Sequence, residues 1–282
     1  MPGFAGIVLA GGRSSRMGAP KEALEWHGST LLRRTVGILA RASGGPVLVV
    51  RSRGQALPEL PPQVDVVDDP REGLGPVQGL AAGLAALAGR AEIAFVCSTD
   101  LPFLHPAFVR RVLRAAAEGA DAALPLACGY PQPLAAAYRV TLAPAAQRLV
   151  QQRRLRPAFL LQECNVARLD EAALLSDPVL AALDPGLSSV VNVNEPADYR
   201  AARARPAPEV TIQRPGALAG GCRGPLPVRA ATLAGAAAAA GLVLDGRVTV
   251  ELNGGRITAD GQTPLATGDA VHFLRAGVRG AR

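Results

Sequence analysis

The run "FAGIVLA" at residues 4–10 is apolar without alternation and passes at once into Gly11 and Gly12. A strand of that kind is buried on both faces, and such strands belong to parallel sheets covered by helices. The pattern then repeats. "GPVLVV" (45–50), "VDVVDD" (64–69) and "EIAFVCSTD" (92–100) read as further strands, and "DAALPL" and "PLAAAY" follow. Helical stretches lie between them, from about Thr30 to Ala42, through "GPVQGLAAGLAALAG", and from about Pro106 to Glu118. This βα alternation predicts an α/β fold with a mostly parallel, Rossmann-like sheet. In such sheets ligands sit at the carboxyl ends of the strands.

The character of the chain changes after "NVNEPADYRAARARPAP". Residues 201–208 are Ala, Arg and Pro, the composition of a linker. Beyond them lie "EVTIQ", an alanine-rich helix around 229–241, "RVTVELNGGRIT" and "DAVHFLRA". "NGG" is a hairpin turn signal. The reading is strand, helix, strand, turn, strand, a separate small α+β domain. Two domains are therefore expected, 1–203 and 208–282.

Composition narrows the partners. Aromatic residues are 4% of the chain, too few for a stacking platform that would grip single-stranded nucleic acid. The net charge of +7 is spread along helices and loops; by itself it permits nucleic-acid binding and fits as well a protein handling anionic, phosphorylated small molecules. The apolar stretch near 231–244 is alanine-rich and too short to span a bilayer. Neither nucleic acid nor membrane is expected as a partner. Cys97, Cys128, Cys164 and Cys222 form no CxxC pair, so a metal or redox motif is not indicated and a reducing, cytoplasmic compartment is the expectation.

Among thirty basic residues only one, Lys21, is a lysine, and it stands in "LAGGRSSRMGAPK" (9–21). Glycines let backbone amides approach a ligand, and Arg16 and Lys21 can reach polyphosphate oxygens from one loop. The string matches neither the P-loop nor the dinucleotide fingerprint. "CSTD" ends a strand in Asp100, which suits a carboxylate anchor for Mg²⁺; the same residue could instead cap the helix that follows. Asp69 reads equally as a ligand-facing carboxylate or as a turn residue before Pro70. Asn192 and Asn194 alternate, so on a strand both amides face one side and can pair with a polar heterocycle; the pair reads also as an asparagine turn leading into the last helix. His27, His105 and His272 read as structural or surface residues.

The string at 9–21 resembles the signature of the molybdenum cofactor guanylyltransferase family, within a larger group of nucleotidyltransferases. "DDPREGLGPVQGL" (68–80), "CSTDLPF" (97–103), "YPQPLAAAY" (130–138) and "NVNEP" (192–196) are similar to further segments of that family, in the expected order. The resemblance covers about residues 4–200. It implies transfer of GMP from GTP to the phosphate of molybdenum-bearing molybdopterin, with release of pyrophosphate and a need for Mg²⁺. It further implies that Leu9, Ala10, Gly11 and Gly12 contact the nucleotide and that Arg16 and Lys21 serve its phosphates. Asp69, or Asp68 in the alternative register, would bind the nucleoside. Asp100 would hold Mg²⁺, and Gln132, Asn192 and Asn194 would meet the pterin. Cofactor-biosynthesis proteins and molybdoenzyme apoproteins are the implied protein partners. Arg139, Arg153, Arg154 and Arg156 are further candidates for the pterin phosphate, though for most of them a solvated helix face is the favoured reading. The chain departs from the family at "VVRSRG", where Arg51 stands in place of a small polar residue facing the nucleotide; contact with phosphate or an altered base preference would follow.

The stretch 208–282 resembles a ubiquitin-like, β-grasp sulfur carrier, through "LNG", "TPLATGD" and a final strand. Such carriers end in Gly-Gly, whereas this sequence reads "GVRGAR" with Gly277 and Gly280 separated; either the tail is trimmed or, the favoured reading, the carrier function is lost and the domain serves docking. Two other functions remain open: a cytidylyltransferase or related nucleotidyltransferase, and a non-catalytic protein that holds nucleotide or cofactor for delivery.

Overall fold

The computed structural model describes residues 3–11, 17–18, 20–70, 73–214, 224–245 and 248–275. Contacts group the chain into two units, one of Met1–Leu24 with Thr30–Ala202, the other of Glu25–Ser29 with Arg203–Arg282.

The strands up to residue 169 are β1 (Phe4–Leu9), β2 (Glu25–Trp26) and β3 (Ser29–Thr30), which pair with each other, then β4 (Val47–Ser52), β5 (Val64–Asp69), β6 (Ile93–Ser98), β7 (Ala122–Ala127), β8 (Tyr130–Pro131), β9 (Ala135–Arg139) and β10 (Val166–Leu169). Among the described residues the main sheet of the first unit runs β10-β7-β9-β6-β1-β4-β5, with β8 pairing β7. β1 is central and parallel to both β4 and β6. Its residues from Ala5 to Leu9 are all buried, as an apolar run without alternation requires. β9 runs antiparallel between β6 and β7, because it returns from β7 through a tight loop instead of a helical crossover. The sheet is thus mixed, with most pairs parallel.

Helices α1 (Leu31–Ser43), α2 (Pro76–Ala86) and α3 (Pro106–Ala117) cover the sheet. Each starts from local chemistry. Thr30 accepts a hydrogen bond from the Arg33 amide, Pro76 occupies the first turn of α2, and the His105 ring accepts from the Ala107 amide. The cap of α3 is therefore His105 and not Asp100. The small residues of α2 allow close packing. A Cβ on Gly83 would come within 2.9 Å of Ile7 Cγ2, and one on Gly79 within 3.2 Å of Leu9 Cδ2. This intimacy brings the start of α2 down onto the carboxyl end of β1.

Shorter helices follow: α4 (Ala143–Gln151), α5 (Pro157–Gln162), α6 (Glu171–Leu175), α7 (Pro178–Leu183) and α8 (Pro196–Ala204). The expected linker at 201–208 is corrected here. Residues 201–204 continue α8, and Ala202 is buried. Alanine and arginine both favour helix, so the chain breaks only as Pro206 approaches.

The second unit holds β11 (Glu209–Arg214), β12 (Gly224–Arg229), α9 (Leu233–Ala239), β13 (Val248–Leu252), β14 (Gly255–Ile257) and β15 (Ala270–Arg275). Its sheet order is β12-β11-β15-β13-β14, with β11 parallel to β15. Val210, Ile212, Leu233, Val250, Val271 and Phe273 form its core. The "NGG" turn is a tight hairpin, with Asn253 and Gly254 both at positive φ. Asp269 of "TPLATGD" accepts from the Asn253 side-chain amide at 2.8 Å and from the Ala266 backbone at 2.8 Å, closing the loop before β15. β12 was not legible because Pro225 and Pro227 argue against a strand; it forms at the sheet edge, where proline is tolerated.

Candidate functional site

The carboxyl ends of β1, β4, β5 and β6 surround a cavity of about 480 Å³ lined by Leu9, Gly11, Ser52, Asp69, Gly75 and Ser98, among others. That volume suits a small ligand. Gly11 belongs in this wall for a steric reason: a Cβ there would lie 3.2 Å from the Ser52 amide nitrogen and 3.3 Å from its hydroxyl. Gly75 starts α2 at φ 71°, a conformation that favours glycine. Ala10 and Gly11 both donate backbone hydrogen bonds to the Val50 carbonyl, fixing the chain as it leaves β1. Gly12 and Arg16 lie outside the described residues.

Parallel register decides between the two adjacent aspartates. Arg51 pairs with Asp68 across β4 and β5, and Ser52 pairs with Asp69. Neighbouring residues of a strand face opposite sides. Arg51 Nε donates to Asp68 at 2.7 Å and its Nη1 to the Gln55 carbonyl at 2.9 Å. Asp69 and Ser52 are the members that line the cavity. Arg51, offered as a phosphate contact, has its guanidinium held by Asp68 and the Gln55 carbonyl, and Ser52 lines the cavity wall.

Lys21 opens a short 3-10 turn, Lys21–Ala23. Its Nζ lies 3.2 Å from Asp100 Oδ2 and 2.9 Å from Asn194 Oδ1. Residues 21, 100 and 194 thus converge on one point. Asp100 sits just past the end of β6 and also accepts from the Ser98 hydroxyl through its other oxygen. The Asn segment is tied to the same place, since the Val193 amide donates to the Asp100 carbonyl at 2.9 Å. Asp198 accepts from the Asn194 and Glu195 amides, bracing the turn into α8. Val193 is buried, while Asn192 and Asn194 are exposed, so the alternation holds. Of the two readings, strand or turn, the turn into α8 holds: residues 191–194 pair with no sheet.

Gln132 is employed locally. Its side-chain nitrogen donates to the Ala127 carbonyl at 3.1 Å, and its backbone amide to Pro125 at 2.9 Å, so it braces the turn between β7 and β9. Of the arginine candidates, Arg139 donates to the Ala120 carbonyl, and Arg154 is held by Glu163 and lies 4.6 Å over the Phe159 ring. Glu163 is kept below its usual range by its hydrogen bonds from Arg148 and Arg154. Cys97, next to this site on β6, is fully buried; burial, then the Asp100 charge, push its thiol well up. Burial also raises Cys164 to about 11, with Asp121 and Glu163 adding to it. Both thiols stay protonated at neutral pH and serve as small apolar groups.

The carboxylate geometry tests what metal could be held. Among the described residues no cluster of three or more His, Cys, Asp or Glu could grip an ion. Mg²⁺ takes one or two carboxylates and completes its shell with phosphate oxygens and water. Asp100, partly open to solvent beside Ser98, fits that mode. Ser52, Ser98, Gln55 and Glu22 were missed by sequence reasoning; single residues of these types carry no spacing signal.

Comparison with known proteins agrees with this geometry. A family model described as the MobA-like NTP transferase domain matches residues 6–171. A protein of Mycobacterium bovis (strain BCG / Pasteur 1173P2) named "Probable molybdenum cofactor guanylyltransferase" is 38% identical over 170 residues, 59% of this chain and 83% of the relative. A protein of the same name from Mycobacterium ulcerans (strain Agy99) is 35% identical over 202 residues, 70% of this chain and 92% of the relative. The crystal structure of molybdopterin-guanine dinucleotide biosynthesis protein A from Archaeoglobus fulgidus shares the fold, with a TM-score of 0.55 and 24% identity, over 71% of this chain and 96% of that one. The match over more than half the chain, on the segment that builds the cavity, places the protein in the MobA-like NTP transferase family as a nucleotidyltransferase.

Proposed function

We propose that this protein transfers the GMP moiety of GTP to the phosphate of molybdenum-bearing molybdopterin, in the cytoplasm, with Mg²⁺, and releases pyrophosphate. The observation that carries the reading is the meeting of Lys21, Asp100 and Asn194 at the strand ends beside the cavity. The names of the mycobacterial relatives supply the guanylyl and molybdenum cofactor parts.

Nucleotidyl transfer is an in-line attack on the α-phosphorus, and the protein contributes mainly position and charge. The attacking group is a phosphate oxygen, already ionised at neutral pH, so no general base is required. Leu9, Ala10 and Gly11 present the carboxyl end of β1, against which the nucleotide lies, and Asp69 faces the nucleoside. Lys21 meets the phosphates with a mobile point charge, and Arg16 adds a second cation from the same loop. Asp100 would hold Mg²⁺, which supplies further neutralisation of the phosphate charge. Asn194, beside Lys21, and Asn192 meet the pterin, and Gln132 is read as a further pterin contact. In the free protein Lys21 and Asp100 neutralise each other; substrate phosphate and cation would replace each partner in turn.

The second unit is read as a β-grasp-like module resembling a sulfur carrier. Its sheet order, parallel β11–β15 pair and helix α9 support that reading. Gly277 and Gly280 lie outside the described residues.

The test is thermal stabilisation by GTP, CTP and ATP, each with Mg²⁺, followed by an assay of GMP transfer to molybdopterin. GTP at a hundredfold excess over its Kd is expected to raise Tm by roughly 5 °C, and the other two by less. Preference for CTP would shift the reading to cytidylyl transfer, and no response to any nucleotide would favour a delivery protein. Gly11→Ala adds a methyl group 3.2 Å from the Ser52 amide nitrogen and is expected to weaken GTP binding about tenfold by calorimetry, roughly 1.4 kcal/mol, and to lower Tm somewhat even without nucleotide.

A further inference from the structure

Glu22 follows Lys21 in the chain yet is 4% exposed, and nothing in the chemistry above uses it. A buried carboxylate is costly unless hydrogen-bonded. Its partner is Gln55, whose side-chain nitrogen lies 2.6 Å from Glu22 Oε1. The same nitrogen donates to the Ala10 carbonyl at 3.1 Å, and Gln55 Oε1 accepts from the Ser52 amide at 2.9 Å. The amide orientation is fixed by chemistry, because a carboxylate and a carbonyl need donors and a backbone N–H needs an acceptor. A carboxylate at 55 would repel Glu22 and the Ala10 carbonyl. A cation there could not accept from Ser52.

These three partners come from three segments of the site. Ala10 follows β1, Ser52 ends β4 in the cavity wall, and Glu22 sits in the turn that carries Lys21. Gln55 is itself held on its backbone, by Arg51 Nη1 at 2.9 Å and through its own amide to the Ser52 carbonyl at 3.0 Å. Arg51 is in turn fixed by Asp68. A chain of contacts therefore runs from the edge strand to the lysine turn.

We propose that Gln55 and Glu22 are a positioning pair that sets Lys21 against the nucleotide cavity, a reading that rests on the nucleotidyl-transfer function above. Neither residue touches substrate. Their effect is to hold the lysine turn and the cavity wall at one separation, and a displacement of about 1 Å can cost on the order of 10²-fold in rate.

The single lysine makes this directly measurable. In full-length protein labelled with ¹⁵N,¹³C-lysine, one side-chain signal reports Lys21. Gln55→Leu is expected to move that signal without nucleotide present, and to lower kcat about 10- to 100-fold with KM for the nucleoside triphosphate within about threefold of wild type. Glu22→Gln still offers Gln55 an oxygen and is expected to keep both the signal and kcat, whereas Glu22→Leu should behave as Gln55→Leu does. If Gln55→Leu fails to fold, Gln55→Asn, one methylene too short to reach all three partners, gives the same readout. An unmoved lysine signal with unchanged kcat in the position-55 variant would overturn the proposal, and so would a Glu22→Gln protein as impaired as Glu22→Leu. Should the wild type bind no nucleotide, the functional reading fails, while the lysine signal still decides the positioning role.

Discussion

Lys21→Ala is expected to lower kcat for nucleotidyl transfer by about 10²–10³-fold while leaving the protein folded. Removing one preorganised charge from a site where negative charge develops costs that much in comparable cases. Lys21 Nζ is bound by Asp100 Oδ2 at 3.2 Å and Asn194 Oδ1 at 2.9 Å, so it stands between the residues read as the cation anchor and the pterin contact. The pair with Asp100 is part-buried, and its loss should cost the fold about 1–3 kcal/mol. Lys21→Arg separates charge from shape. The longer, planar guanidinium keeps the charge but cannot fill the same small gap, and a loss of about tenfold is expected. Pyrophosphate release at saturating nucleotide measures both variants. Wild-type turnover in Lys21→Ala would mean that the phosphate charge is met elsewhere, and would remove the main argument for the site.

Much of this arrangement is legible in the chain, for reasons that differ by residue. The apolar runs at 4–10, 45–50 and 92–97 announce buried parallel strands because no alternation survives when both faces are covered. "LAGG" and Asp100 stand where those runs end, Lys21 follows in the same glycine-rich string, and the structure brings Lys21 and Asp100 together. The choice between Asp68 and Asp69 was not legible. The two are adjacent in an extended strand and differ only in the side they face, which depends on the Arg51 pairing across β4 and β5. β9 looked like any other strand, since direction is set by the length of its connection and not by its own residues. Glu22 and Gln55 gave no signal at all. Their meeting depends on two loops, 33 residues apart, folding over the same edge.

Asp100→Asn is the variant expected to lose most, on the order of 10³-fold in kcat, because it removes a charge while keeping nearly the same shape. The amide oxygen introduced by this substitution could still accept from the Ser98 hydroxyl, and the Val193 amide would still donate to the backbone carbonyl at position 100. Packing around Cys97 and β6 should therefore survive, and Tm is expected to change little. Mg²⁺ dependence provides the sharper readout. A carboxylate that anchors the cation makes activity rise at lower Mg²⁺ than an amide can support, so the variant's residual activity should need more Mg²⁺. Lys21 and Asp100 share one contact and are proposed to serve one phosphate chain, so their effects should not add. The double variant is expected to be only slightly worse than Asp100→Asn alone, as found for groups that act as a unit. Additive losses would assign the two residues to separate steps. Full activity in Asp100→Asn with unchanged Mg²⁺ dependence would place the cation elsewhere and leave Asp100 as the partner that holds Lys21 in the free protein.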